Sequence, residues 1–140
     1  MFTHSTAQEL AIRFKGKQIL FISDIRHHDD ESTNVENERL IQEDMEMQMI
    51  WVQILNPAVS LLKFRPPYPL SNDLSTIQYF KGTIILQPWT GATSTETRLL
   101  VTNRYKKTIY DSKLYEDIMF HFNTVTRTTY YKDENKQGCH

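Results

Sequence analysis

The apolar positions of this chain switch between two periods, and each switch marks an element. From Thr6 to Lys15 the apolar residues Ala7, Leu10, Ala11 and Phe14 recur at helical spacing, Ser5 and Gln8 stand at capping-box distance, and Gly16 offers a left-handed stop. A short amphipathic helix is predicted there. The continuous apolar run from Ile19 to Ile22 reads as a strand ending in Ser23, Asp24, Ile25 and Arg26. His27 to Ser32 is polar and predicts a loop. Thr33 and Glu36 open a longer helix that Asn56 and Pro57 stop; along it Ile41, Met45, Met49 and Val52 keep helical spacing and Trp51 widens the apolar face. In the following run, AVSLLKFRPPYP, Val59, Leu61 and Leu62 suit a buried strand, which Pro66, Pro67 and Pro69 end by removing ladder donors. Strand, helix and strand make a βαβ unit with two parallel strands and a right-handed crossover.

Beyond the prolines, Ser71 to Thr76 predicts a loop, and two short runs, Ile77 to Phe80 and Thr83 to Leu86, flank Lys81 and Gly82. The alternation in TETRLLVTN marks a half-buried strand that pairs antiparallel with TIILQPW. Asp111 or Ser112 caps a helix bearing Leu114, Ile118 and Phe122. TVTRTTYY, rich in β-branched and aromatic residues, predicts a last strand before a disordered polar tail over 132–140, which leaves 1–131 as one domain.

Composition narrows the class. With 140 residues, 39% hydrophobic and 24% charged, the chain reads as one soluble domain, and no apolar run approaches the roughly 20 residues a membrane helix needs. The opening MFTHSTAQELAIRF lacks a secretory layout, so an intracellular protein with no membrane role is expected. Cys139 stands alone, which excludes a disulfide framework. His27 and His28 precede Asp29 and Asp30, but adjacent side chains point apart and no ligand spacing recurs, so no metal site is expected. The net charge of -1 shows no basic surplus for nucleic acid. Its distribution is uneven, however: acids crowd Asp29 to Glu46, whereas Arg98, Arg104, Lys106 and Lys107 cluster later, which would put the two signs on different faces, with a solvated turn as one reading of Lys106 and Lys107.

Three polar groups, Asp24, Lys63 and Glu96, fall at or near predicted strand ends. Neighbouring strands lie roughly 4.8 Å apart, so such termini would come within about 5 to 10 Å of one another. Lys63 and Arg65 end a strand at the edge where open α/β sheets bind ligands. A lysine among carboxylates serves either as an ion pair or as a reactive amine, and the pattern alone leaves both open.

FISDIR, ILNPAVSLLKFRPPYP, LQPW and TETRLLV, in that order and spacing, resemble the poxvirus cap-specific mRNA 2'-O-methyltransferases, which also serve as poly(A) polymerase regulatory subunits. The similarity covers about residues 1 to 131 and is most specific through Asn56, Pro57, Ser60, Leu62, Lys63, Arg65 and Pro69. It implies an α/β, Rossmann-like fold for S-adenosylmethionine chemistry, incomplete, with a mixed sheet and an antiparallel pair near the C-terminus. It implies methyl transfer from S-adenosylmethionine to a ribose 2'-hydroxyl of capped mRNA, with Lys63 as proton acceptor and Asp24 and Glu96 holding it. Asp24, Phe2 and Thr3 would touch the cofactor, Tyr68 would stack on the cap and Glu116 would read its guanine edge, while Arg65 and Arg98 would meet RNA. An acid expected at Leu70 is absent, and Asp73 is the candidate to compensate. Residence in the cytoplasm, a virion or a viral factory follows from the same resemblance.

The resemblance begins downstream of the family's first lysine and glycine-rich cofactor loop, and Gly16, Gly82, Gly91 and Gly138 are too scattered to replace that loop. Two carboxylates favour the charged form of an amine, and only the absent lysine and the cofactor's sulfonium would oppose them. The expectation is therefore a fragment of the enzyme with little activity alone. The alternative is a noncatalytic RNA-binding subunit of a poly(A) polymerase; an unrelated interaction module is a third reading.

Overall fold

Capping chemistry sets the start of the first helix, α1 (His4–Arg13): Thr3 Oγ1 accepts from the Thr6 amide at 3.2 Å, and Thr6 Oγ1 accepts from the Thr3 amide at 3.3 Å. This box replaces the one expected from Ser5 and Gln8 and moves the helix two residues towards the N-terminus. Gly16 does take the left-handed conformation, φ +81°, in the turn that follows. The computed structural model describes residues 1–27, 31, 33–68 and 76–130.

Strand β1 (Leu20–Ser23) leads through a loop to α2 (Asn34–Leu55), where Thr33 Oγ1 accepts from the Glu36 amide at 3.2 Å. Asn56 closes α2 at φ 49°, its amide donating to Val52 O at 3.0 Å, and Pro57 then forbids a further turn. Strand β2 (Val59–Phe64) returns parallel to β1, with Leu20 opposite Val59 and Ser23 opposite Leu62, as the βαβ reading required.

Next come β3 (Thr76–Phe80), β4 (Thr83–Ile85), β5 (Thr97–Val101) and β6 (Lys107–Asp111). β5 runs antiparallel to both β2 and β4, giving a mixed four-stranded sheet of order β1-β2-β5-β4. β3 and β6 form a separate antiparallel pair, so Lys107 opens a strand rather than lying in a turn. One face of the main sheet carries the core, in which Leu62, Phe64 and Leu99 pack with Met45 and Val52 of α2 and with Tyr79 and Phe80 of β3. The opposite face presents Leu20 and Ile22 to solvent.

Asp111 caps α3 (Ser112–His121), its carboxylate accepting from the Lys113 and Leu114 amides. Tyr115, Met119 and Phe122 are the residues of this segment that go into the core, whereas Leu114 and Ile118 stay exposed. The predicted final strand is helical instead: a π-turn, Phe122–Thr126, runs into α4 (Arg127–Tyr130). Thr124 and Thr128 satisfy their hydroxyls on carbonyls four residues back, at 2.8 and 3.0 Å, so β-branching does not force extension here. Buried Arg127 fixes the segment by donating to Pro88 O at 2.9 Å and to Asn123 Oδ1 at 2.9 Å. Tertiary hydrogen bonds thus override local strand propensity. The tail, with Cys139, lies outside the described residues, as do His28, Asp29, Asp30, Pro69, Leu70 and Asp73. No described helix is long and apolar enough to cross a membrane.

Candidate functional site

The carboxyl ends of β1 and β2 lie side by side because Ser23 pairs with Leu62, which sets Asp24 beside Lys63. The antiparallel register then places Arg98 of β5 opposite Lys63. All three side chains meet: Lys63 Nζ is 3.2 Å from Asp24 Oδ1, and Arg98 Nη1 donates to the same oxygen at 2.7 Å. The hydrogen bond from Arg98, reinforced by Lys63, holds the Asp24 carboxyl below its ordinary value of 3.8. Asp24 is 62% exposed, so the triad is open to solvent.

Glu96 belongs to an adjoining cluster. One step beyond Phe64 and Thr97 in the register come Arg65 and Glu96, and Arg65 Nε lies 3.7 Å from Glu96 Oε1. Arg26 Nη2 donates to the other carboxylate oxygen at 2.8 Å. Lys63 is therefore matched by Asp24, while Glu96 is held by two arginines. Asp24, Lys63 and Glu96 do share one end of one sheet, as their positions predicted.

Arg65 is not available to RNA phosphates. Its side chain is 8% exposed, and its fork donates to both oxygens of Glu38 at 3.1 and 3.0 Å. Its guanidinium also lies 4.4 Å from the centre of the Tyr68 ring. Glu38 accepts from the Tyr68 amide as well, at 2.8 Å, so a buried ion pair shapes the proline turn. Arg98, half-buried, is committed to Asp24.

Tyr68 and Glu116 line one cavity of about 410 Å³, together with Thr95, Asp117 and Phe120. The Tyr68 hydroxyl is 2.8 Å from Thr95 Oγ1, which fixes the ring from its far end. Lys113 also lines it and pairs with Asp117 at 3.0 Å, which leaves Glu116 beside two aromatic side chains.

Phe2 and Asp24 border a smaller cleft of about 280 Å³ with Phe21, Ile25 and Trp51. Phe2 meets Trp51 edge-on, ring centres 4.9 Å apart. Thr3 is occupied as the helix cap. Three aromatic rings and the Asp24 carboxylate thus border this cleft. Among the described residues nothing offers a glycine loop for the aminoacyl half: Gly16 and Gly91 border open space, and a Cβ on Gly82 would stand 2.4 Å from Leu100 O. No described group of three or more His, Cys, Asp or Glu side chains could hold a metal ion.

Sequence reasoning passed over three participants, Glu38, Asp44 and Arg26. Asp44 is buried and accepts from the His27 amide at 2.7 Å and from its ring Nδ1, pinning the chain that follows Asp24. The signal was present: Glu38, Ile41, Met45 and Val52 share a helical stripe with Asp44 and Gln48, and polar residues inside an apolar stripe must find partners.

The family model for the Poly A polymerase regulatory subunit matches residues 1–137. The chain belongs to the poly(A) polymerase regulatory subunit family. No curated protein matches it. Membership in this family points to RNA processing and to a polymerase catalytic subunit as a partner, and it gives the alternative drawn from the sequence more support than methyl transfer.

Proposed function

We propose that this regulatory-subunit chain handles the 5' end of an mRNA for a poly(A) polymerase, holding the methylated cap guanine in the cavity between Tyr68 and Glu116. The observation that carries this is the convergence of Tyr68, Phe120 and Glu116 on one 410 Å³ space, in which Lys113 is already matched by Asp117 at 3.0 Å. N7-methylguanine is cationic, so an aromatic face attracts it through the ring quadrupole and a carboxylate pairs with its charge and edge donors. Titration with a methylated cap dinucleotide and its unmethylated counterpart tests this. Tyr68→Ala is expected to weaken the methylated ligand about tenfold, and Glu116→Gln to erase most of the preference for methylation. Equal affinity for the two ligands in the unaltered chain would refute the assignment.

Methyl transfer from S-adenosylmethionine to a ribose 2'-hydroxyl is the second reading, favoured by the Asp24–Lys63 contact beside the cleft of Phe2, Ile25 and Trp51. The order β1-β2-β5-β4, with its single parallel pairing, also agrees with part of a Rossmann-like sheet. Bound there, S-adenosylmethionine would supply an electrophilic methyl on a sulfonium. Lys63 would orient the hydroxyl and, when neutral, accept its proton; Asp24 would position Lys63. Because the described residues offer no glycine loop, weak cofactor binding is expected, and calorimetry with the cofactor reads it directly.

A further inference from the structure

The opposite end of the sheet has a different chemistry. The chain enters β1 there through Lys15 and Lys17, leaves α2 there at Asn56, turns from β3 to β4 through Lys81, and passes from β5 to β6 through Arg104, Tyr105 and Lys106. The register places these connections together: Leu20 starts opposite Val59, Ser60 lies opposite Val101 and Thr83 opposite Leu100. The Lys81 amide donates to Lys106 O at 2.9 Å, which joins two of the turns, and Lys107 follows at once. The stretches that build this end, 14–20, 53–60, 80–83 and 101–108, contain no Asp or Glu. The five lysines are exposed, and none is in an ion pair among the described residues.

An aromatic ring stands among these cations. Tyr105 is 79% exposed, with the Arg104 guanidinium 4.6 Å from its ring centre. The turn is braced: the Tyr105 amide donates to Asn103 Oδ1 at 2.9 Å, and Arg104 Nη1 donates to Gln53 O at 3.2 Å. Arg104 thus covers one face of the ring and donates through Nη2 to its hydroxyl, which leaves the other face to solvent. The cost of keeping uncompensated cations together is repaid when a polyanion arrives, and an exposed ring beside them offers a platform for a base.

The geometry points to a second RNA-binding surface at this end, taking single-stranded RNA with Lys81, Lys106 and Lys107 on phosphates and Tyr105 stacked on a base. It rests on the reading that the chain handles RNA, and it adds a contact remote from the Tyr68 cavity. The overall charge of -1 conceals it, because the compensating acids lie elsewhere.

The test measures anisotropy of a short, labelled, uncapped RNA across a salt series with the full chain. Replacing Lys106 and Lys107 together by Ala should flatten the slope of log affinity against log salt by about 1.4. Tyr105→Ala should weaken binding about tenfold at fixed salt while leaving the slope unchanged. Excess cap dinucleotide should alter neither value, so loss of the cap reading and loss of this one are told apart. Wild-type affinity in both basic-end variants overturns the proposal, as does displacement of the uncapped RNA by excess cap dinucleotide. Equal competition by inorganic polyphosphate, with no effect of Tyr105→Ala, reduces the surface to a generic polyanion patch and overturns it too. So does capture by phosphatidylserine vesicles with RNA binding absent.

Discussion

The two ends of one sheet use charge in opposite ways. At the carboxyl ends of β1 and β2, Asp24, Glu96 and Glu38 meet Lys63, Arg98, Arg26 and Arg65, and every one of these charges has a partner. At the other end Lys15, Lys17, Lys81, Lys106 and Lys107 face water without a described carboxylate beside them. The first arrangement fixes the shape of a turn and its cavity; the second stores repulsion that a polyanion relieves. Mutually satisfied charges serve structure, and exposed, unmatched ones serve association.

The largest test of that contrast is Glu38→Ala. Removing a carboxylate that holds Arg65 and the Tyr68 amide leaves a buried guanidinium poorly paired, and a loss of about 3 kcal/mol is expected in urea unfolding. A loss below about 1 kcal/mol would mean that the ion pair is not structural.

Tyr115→Phe comes next. The Tyr115 hydroxyl donates to the Thr95 carbonyl and lies 3.0 Å from Thr97 Oγ1, tying α3 to the start of β5. Its removal should cost about 1–2 kcal/mol. Burial also pushes this hydroxyl well above its ordinary value of 10.0. Because the folded value is raised, the contribution is complete below pH 10 and falls as pH rises above it, where the unfolded chain ionises first. The variant should show a shallower alkaline loss than the unaltered chain.

The smallest effects separate the ends most cleanly. The Asp24 value is depressed, so its contribution is present above about pH 3.8 and is lost as pH falls through the folded value. Asp24→Asn should remove a small acid-side component from the unfolding profile. At the far end Lys106→Ala should leave stability within about 0.5 kcal/mol of the unaltered chain at every pH, since nothing leans on it.

Much of this was legible in one dimension. The Asn56–Pro57 stop, the parallel β1–β2 pair, the capped start of α3 and the antiparallel β4–β5 pair followed from local chemistry and period. The placement of Asp24, Lys63 and Glu96 at one sheet end followed from strand boundaries. What did not follow was how they pair: a two-residue shift in the β2–β5 register decides whether Glu96 meets Lys63 or Arg65. Arg65 looked like an RNA contact because its partner, Glu38, lies 27 residues away on the helix face that turns inward. The TVTRTTYY segment misled for the same reason, since Arg127 finds its carbonyls on the distant Pro88–Thr90 turn.

Residue order alone settled the alternation of elements and most of their caps and breaks, because each depends on neighbours a few positions apart. Only the folded chain decided which opposite charges neutralise each other, which aromatic rings share a cavity and which cations are left over. Those outcomes depend on contacts between residues far apart in the chain, and no local pattern encodes the register that makes them.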